Sequence, residues 1–424
     1  MSFFVKPKTK KIVYLDHAAT TPLDLSVEKA MRPYFTKFFA NPSALYDLGR
    51  EVNGALNDAR RQVAEIIGAL SDNIIFTSGG TEADNLAIFG VVRAAMKNDP
   101  KKKHIITTKI EHHAVLRACE TLESEGFEVT YLEPDKTGFV SAKKVVEALR
   151  PETILVAVMY ANNEIGTVEP LAEIGREILK WRKTNNTLYP YFFSDACQAA
   201  GALDLNVEKL HVDLMSVNGG KIYGPKGAGF LYRRRGVKIA PIQYGGHQEF
   251  GVRAGTENIP GVVGLAAALA LAEKKKAKEN ARLIKLRNYF FAELKKRIPK
   301  ILLNGPELGN TDLRLPNNLN VSFLNIEGEA LLLYLNEYGI YCSTGSACDS
   351  ESLNPSHVLL AIDLPYEYAH GSLRFTLGRE TTKAQIDYVL KYLPQIVEKL
   401  RSISPVNLDI DPEKKQHPNY WQRD

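Results

Sequence analysis

The chain has 424 residues, 45% hydrophobic and 24% charged, enough for one large domain and a smaller one with separate cores. Its 54 basic and 49 acidic residues leave a net charge of +5, too slight over this length to mark a protein of nucleic acid or membrane surfaces. The start, Met1 to Lys8, lacks the apolar core of a signal peptide, and the longest apolar stretch, Val262–Ala272, is too short to span a bilayer, so the expected location is cytoplasmic.

In chain order, short apolar runs at Asn73–Phe76, His104–Thr107, Thr153–Met159, Tyr189–Ser194 and Val212–Val217 predict buried strands. Helical patterns alternate with them at Glu82–Met96, Ala114–Glu125 and Leu171–Thr184. This alternation predicts an α/β fold with a mostly parallel central sheet, whose ligands collect at the carboxyl ends of the strands. From about Pro260 to Ile298, a stretch rich in Ala, Leu and Lys predicts a long helix leading into a smaller α/β domain. There the pattern gives strand Leu319–Leu324, helix Glu327–Asn336, strands Ile340–Cys342 and Leu373–Thr376, and helix Lys383–Arg401. The end, Ile403–Asp424, holds Pro405, Pro412 and Pro418 without periodicity and reads as a tail. The basic clusters Lys101–Lys103, Arg233–Arg235 and Lys274–Lys276 read as solvated faces.

Several of these strands end in residues that can do chemistry. Lys221 follows Val212–Val217 in a Gly-rich turn stiffened by Pro225. An amine there can form a Schiff base with a carbonyl cofactor, or be a solvated lysine. No Ser or Thr follows it, so the turn is not a P-loop. Asp195 can pair with a protonated pyridine nitrogen or cap the next helix, and Gln198 can reach a phenolic oxygen. Thr77–Glu82 joins a strand to a helix through Gly80 and Thr81, either a phosphate site on free N–H groups or a plain N-cap. His112 can stack on a flat cofactor, relay a proton or be structural. Asn163 lies in a turn, Asn162–Gly166, that also follows a strand.

The four cysteines form no C-x-x-C pair and no zinc-ligand spacing, so no metal is expected. Cys119, Cys197 and Cys342 sit in settings that suggest packing. Cys348 lies among small polar residues, Ser343–Ser352, and is the candidate nucleophile. Arg374 alternates with apolar neighbours in its strand and needs an anion, either a substrate carboxylate or an internal partner.

In this order, the segments Tyr14–Pro22, Asn41–Ser43, Thr77–Glu82, Glu111–His112, Asn162–Gly166, Asp195–Gln198, Lys221–Gly227, Arg253–Thr256, Gly345–Cys348 and Arg374–Arg379 resemble the NifS-like cysteine desulfurases. That family has fold type I of the pyridoxal-phosphate enzymes, and the resemblance implies a large cofactor-binding domain over 16–260. It also implies a small domain over 1–15 and 261–402 carrying the catalytic cysteine, and a tail over 403–424. By position, the resemblance implies that Lys221 holds pyridoxal 5'-phosphate and that Asp195 pairs with its pyridine nitrogen. Gln198 would face the phenolic oxygen, His112 would stack on the ring, and Gly80 and Thr81 would hold the phosphate. Thr256 would reach the phosphate of the opposite subunit in a homodimer, while Asn163 and Arg374 would bind the carboxylate of L-cysteine. Cys348 would take the sulfur as a persulfide, leave alanine, and pass the sulfur to an acceptor protein of iron–sulfur assembly or tRNA thiolation. The form Gly345–Cys348, with a long segment to Asn354-Pro355, is similar to the subgroup with an extended catalytic loop.

Three positions depart from the family pattern: Gly220, Asn218 and Asp349. Gly220 stands where a histidine usually precedes the cofactor lysine, and Asn218 where a serine is usual, so a weaker grip on the phosphate is expected. Asp349 directly after Cys348 is expected to disfavour the thiolate and slow persulfide formation. A related lyase acting on selenocysteine, and a weakened homologue serving as a binding partner, are the alternatives.

Overall fold

The computed structural model describes residues 11–99, 101–345 and 355–404. Its strands, in chain order, are β1 (Val13–Tyr14), β2 (Ile74–Thr77), β3 (His104–Thr108), β4 (Glu128–Leu132), β5 (Thr153–Ala157) and β6 (Tyr191–Asp195), followed by β7 (Leu214–Asn218), β8 (Gly229–Arg233), β9 (Ile301–Asn304), β10 (Asn318–Phe323), β11 (Ile340–Tyr341) and β12 (Ser372–Thr376). Seven of them form one sheet in the order β2-β8-β7-β6-β5-β3-β4, and β3 to β7 run parallel with their neighbours apart from β8. Every residue of β3, β5 and β6 is buried, because helices cover both faces of a parallel sheet, which explains their uninterrupted apolar runs. β8 enters antiparallel between β2 and β7, with Phe230 opposite Phe76 and Val217.

A second, antiparallel sheet has the order β12-β10-β9, and β1 pairs with β11. The two sheets have distinct cores. Phe192, Met215 and Phe230 lie in one, Phe290, Phe323 and Phe375 in the other. A helix of 39 residues, Ile259–Arg297, contributes to both. Its first part places Val262, Leu265 and Leu269 in the first core, and its later part places Leu286, Phe290 and Leu294 in the second.

Four strands lie outside the sequence expectation: β1, β4, β8 and β9. The expected strand Thr153–Met159 stops at Ala157, and Val158 to Met159 carry the chain on toward the carboxyl edge of the sheet. The cluster Arg233–Arg235 is no solvated face either. Arg234 is held by Glu208, with Nη1 donating at 2.7 Å, and by the carboxylate of Asp213. Among the described residues, no helix is long and apolar enough to cross a membrane.

Candidate active site

β3, β5, β6 and β7 all point their carboxyl ends at one cavity of about 180 Å³. Its walls include Gly80, Thr81, His112, Asn163, Asp195, Gln198, Asn218, Lys221 and Arg374, so nine residues singled out in the sequence meet there. Thr256 is exposed and is not among the lining residues. Cys348 and Asp349 lie outside the described residues.

Lys221 closes a short 3-10 turn, Gly219–Lys221, directly after β7. Asn218 caps that turn, its Oδ1 accepting from Gly220 N at 3.0 Å. The Lys221 ammonium donates to the carbonyls of Ala18 at 2.9 Å and Ala19 at 2.6 Å, so the N-terminal segment Tyr14–Pro22 forms one wall. Ala18 O also accepts from Gln198 Nε2 at 2.9 Å.

Asp195 ends β6 beside Ser216 of β7. It is buried, and its Oδ1 accepts from Cys197 N at 2.8 Å. Polar atoms of Asp84, His112 and Asp195 lie within 4.8 Å of one another. Burial, and then the Asp195 carboxylate, push the Asp84 carboxyl well above the usual range, and Ser216 Oγ donates to it at 2.5 Å. A neutral Asp84 lets two acids share this space with one charge. His112 caps the helix His113–Ser124, with Nδ1 accepting from Ala114 N at 3.1 Å. Burial lowers its pKa against the opposing pull of Asp195, which favours a neutral ring with its proton on Nε2. Next to it, burial pushes the Glu111 carboxyl up to about 8, although Met159 N and Thr108 Oγ1 both donate to it at 2.8 Å.

Gly80 and Thr81 open the helix Gly80–Asn98, whose first N–H groups have no partner inside the helix. A methyl on Gly80 would stand 2.7 Å from Cys197 Sγ, so only glycine fits this approach. Cys197 is therefore the floor of the cavity rather than distant packing, and burial followed by the Asp195 charge raises its thiol pKa. Cys119 and Cys342 are likewise raised, chiefly by burial. Arg374 is 1% exposed. Its Nη2 donates to Asp16 Oδ1 at 2.7 Å and its Nη1 to Asn163 O at 3.1 Å, while Nε has no hydrogen-bond partner among the described residues. The internal carboxylate and the cavity thus share one guanidinium.

Asp84 and Asp16 were not singled out in the sequence. Asp84 sits within a helical pattern where an acid looks like any solvent-facing residue, and only the fold turns it inward beneath the sheet edge.

The model of the class-V aminotransferases matches residues 13–389. Over 406 residues the chain is 50% identical to the cysteine desulfurase IscS of Dictyoglomus turgidum, covering 96% of this chain and 100% of the relative. Among solved structures, a NifS-like protein superposes with a TM-score of 0.83 at 34% identity, covering 92% of this chain and 100% of the other. SspA in complex with cysteine superposes at 0.73 with 36% identity, covering 87% and 99%. The chain therefore belongs to the class-V aminotransferases, a family of pyridoxal-phosphate enzymes, and within it to the cysteine desulfurases.

The residues present fit that cofactor. A primary amine, a buried carboxylate acceptor and a glycine-opened helix start line the same cavity, one partner each for an aldehyde, a pyridinium and a phosphate. Lys221, Asp195 and Gly80–Thr81 are the residues that would hold it.

Proposed function

We propose that this enzyme converts L-cysteine to L-alanine through a persulfide on Cys348, and delivers the sulfur to an acceptor protein of iron–sulfur assembly or tRNA thiolation. The observation that carries this reading is the meeting of Lys221, Asp195, His112, Asn163 and Arg374 in one cavity. When bound, pyridoxal phosphate supplies the electron sink for the charge left at the substrate Cα. Arg374 receives the substrate carboxylate, and Asn163 completes that grip. The Lys221 amine, held between two carbonyls, takes the Cα proton and returns it. Neutral His112 donates from Nε2. The Sγ of Cys348 bonds to the substrate sulfur as the substrate Cβ–S bond breaks, and a proton delivered to Cβ completes alanine. Cysteine and one enzyme thiol thus give alanine and one persulfide, with no added oxidant.

The same proposal places the enzyme in the cytoplasm as a homodimer. Thr256, exposed and outside its own cavity, would serve the opposite site. The exposed residues Phe35, Phe39, Leu45 and Tyr46 support a covered face. We also divide the chain into a large unit over 16–260, a small unit over 1–15 and 261–402, and a tail over 403–424. The separate sheets and cores support this division.

The test is alanine formation from L-cysteine with reductant and pyridoxal phosphate, in the wild type and in Cys348→Ser. Alanine from the wild type alone is expected. Equal alanine from both would favour a lyase that releases sulfur without Cys348. None from either would overturn the reading, provided bound cofactor is seen in the absorbance spectrum.

A further inference from the structure

The segment Gln248–Thr256 is fastened to the strand that leads into the turn Thr77–Glu82. β2 lies at the end of its sheet, so the backbone groups on its outer edge need partners from elsewhere. Glu249 and Arg60, the latter from the helix Asp47–Ile67, supply them. Glu249 Oε2 accepts from Phe76 N at 2.8 Å, and Arg60 Nη1 donates to Ile74 O at 2.5 Å. The two side chains also pair with each other, Nη1 to Oε2 and Nη2 to Oε1, both at 2.7 Å, and both residues are buried. The Arg60 guanidinium lies over the rings of Phe76 and Phe250, 4.8 and 5.1 Å from their centres. Glu249 and Phe250 hold these contacts with φ of 45° and 61°, a left-handed backbone that residues other than glycine seldom adopt. Such strain persists only where the surroundings fix it, and it marks a segment whose place matters.

Further along the segment, Arg253 reaches the turn itself. Its Nε donates to Glu82 Oε1 at 2.8 Å and its Nη2 to Glu82 Oε2 at 3.4 Å, with the two side chains 21% and 19% exposed. Glu82 Oε2 also accepts from Ser78 N at 2.7 Å, so this carboxylate folds back over the turn that ends at Gly80 and Thr81. Glu82 stands in the first turn of the helix, where free N–H groups favour negative charge. A carboxylate there competes with a phosphate for the same positive end and repels it. Arg253 offsets that charge and holds both carboxylate oxygens.

We propose that Arg253 is a positioning residue for the cofactor phosphate: by pairing with Glu82 it keeps that carboxylate from competing for the helix start at Gly80–Thr81. Glu249 and Arg60 hold Arg253 within reach. The inference rests on the reading of Gly80–Thr81 as the phosphate grip. It goes beyond that reading because neither Glu82 nor Arg253 is among the residues lining the cavity.

The experiment measures binding of pyridoxal 5'-phosphate, and of pyridoxal, which lacks the phosphate, to the apoenzyme by absorbance. Arg253→Gln is expected to weaken pyridoxal phosphate about fivefold and to leave pyridoxal within about twofold of wild type. Adding Glu82→Gln removes the stranded charge, keeps an acceptor for Ser78 N, and should recover most of the lost affinity. Arg253→Met, uncharged and of similar bulk, keeps the test available if Arg253→Gln does not fold. A merely structural loss would weaken both ligands together and would not be rescued by the second substitution. The role is overturned if Arg253→Gln binds both ligands as the wild type does, if it weakens both equally, or if the double variant binds no tighter than Arg253→Gln. It is overturned as well if Arg253→Gln adds nothing in a Thr256→Ala background, since Arg253 would then act through the opposite subunit. A wild type that binds pyridoxal as tightly as pyridoxal phosphate would show instead that the phosphate grip itself is misread, and the role of Arg253 would fall with it.

Discussion

Lys221 and Asp195 leave adjacent parallel strands, so the spacing of amine and carboxylate is set by the ladder between β6 and β7. Gly220 is open to a test on the same footing. The nearest atom to a methyl there would be Asn218 Oδ1 at 3.4 Å, so the backbone does not demand glycine at this position. The neighbours such a methyl meets are side-chain atoms of Asn218, Lys226 and Thr20, and Gly220→His would add a donor next to Asn218, which lines the cavity. A hydrogen bond to a phosphate contributes about 1.5–3 kcal/mol, so Gly220→His is expected to lower the cofactor dissociation constant about tenfold or more. Equilibrium dialysis of the apoenzyme, read by cofactor absorbance, measures this. Equal affinities would mean that Asn218 and the helix start hold the phosphate without it. Motif residues were readable because each follows a strand in a short, unusual run. Asp84 and Asp16 were not, because their roles arise from chain crossings far apart in sequence: Asp84 against Ser216, Asp16 against Arg374.

Among elements, the strands buried on both faces announce themselves as apolar runs, and β3, β5, β6 and β7 were readable to within a few residues. β4 lies at the sheet edge, and its sequence Glu128-Val-Thr-Tyr-Leu132 alternates, so no continuous run marks it. β8 follows the lysine turn and ends in a basic cluster, which hid a five-residue strand. β9 is short and only half-buried over most of its length. β3 carries a pH-sensitive joint. The ring of His104 spans its neighbours, with Nδ1 2.8 Å from Thr153 Oγ1 of β5 and Nε2 2.9 Å from Thr130 Oγ1 of β4. Burial, and then the Arg150 charge, lower its pKa to about 4. An unfolded histidine takes its proton near 6.5, so between about 6.5 and about 4 the unfolded chain binds a proton that the folded chain refuses. Stability from this site is full above that window and falls by about 2–3 kcal/mol on crossing it downward. Denaturation of the wild type and His104→Gln at several pH values should show this difference, with the wild type the steeper. Parallel curves would mean that His104 takes its proton at the same pH in the folded and the unfolded chain.

At the scale of the whole molecule, the proposed homodimer makes the sharpest claim. Phe39 is 68% exposed and lies in the stretch between Phe35 and Tyr46 that also presents Leu45. Phe39→Arg is expected to shift the enzyme toward monomer in sedimentation and to loosen the cofactor, because each site would lose Thr256 of the opposite subunit. A monomeric wild type with full cofactor retention would sink this assembly. The proposed division into two parts rests on the long helical stretch after Pro260 and on the new run of strands beyond it. What composition did not convey was how intimately that helix joins the parts. It continues from Leu265 to Arg297 without a proline or glycine, and so has no ready point at which to bend. At 39 residues it extends about 58 Å, with one end seated among the residues around β7 and the other among those around β12. Neither core can melt without fraying the rod that the other depends on. The two parts should therefore behave as one cooperative unit, and relative movement between them should be a slight flexing of the rod rather than the swing of a hinge.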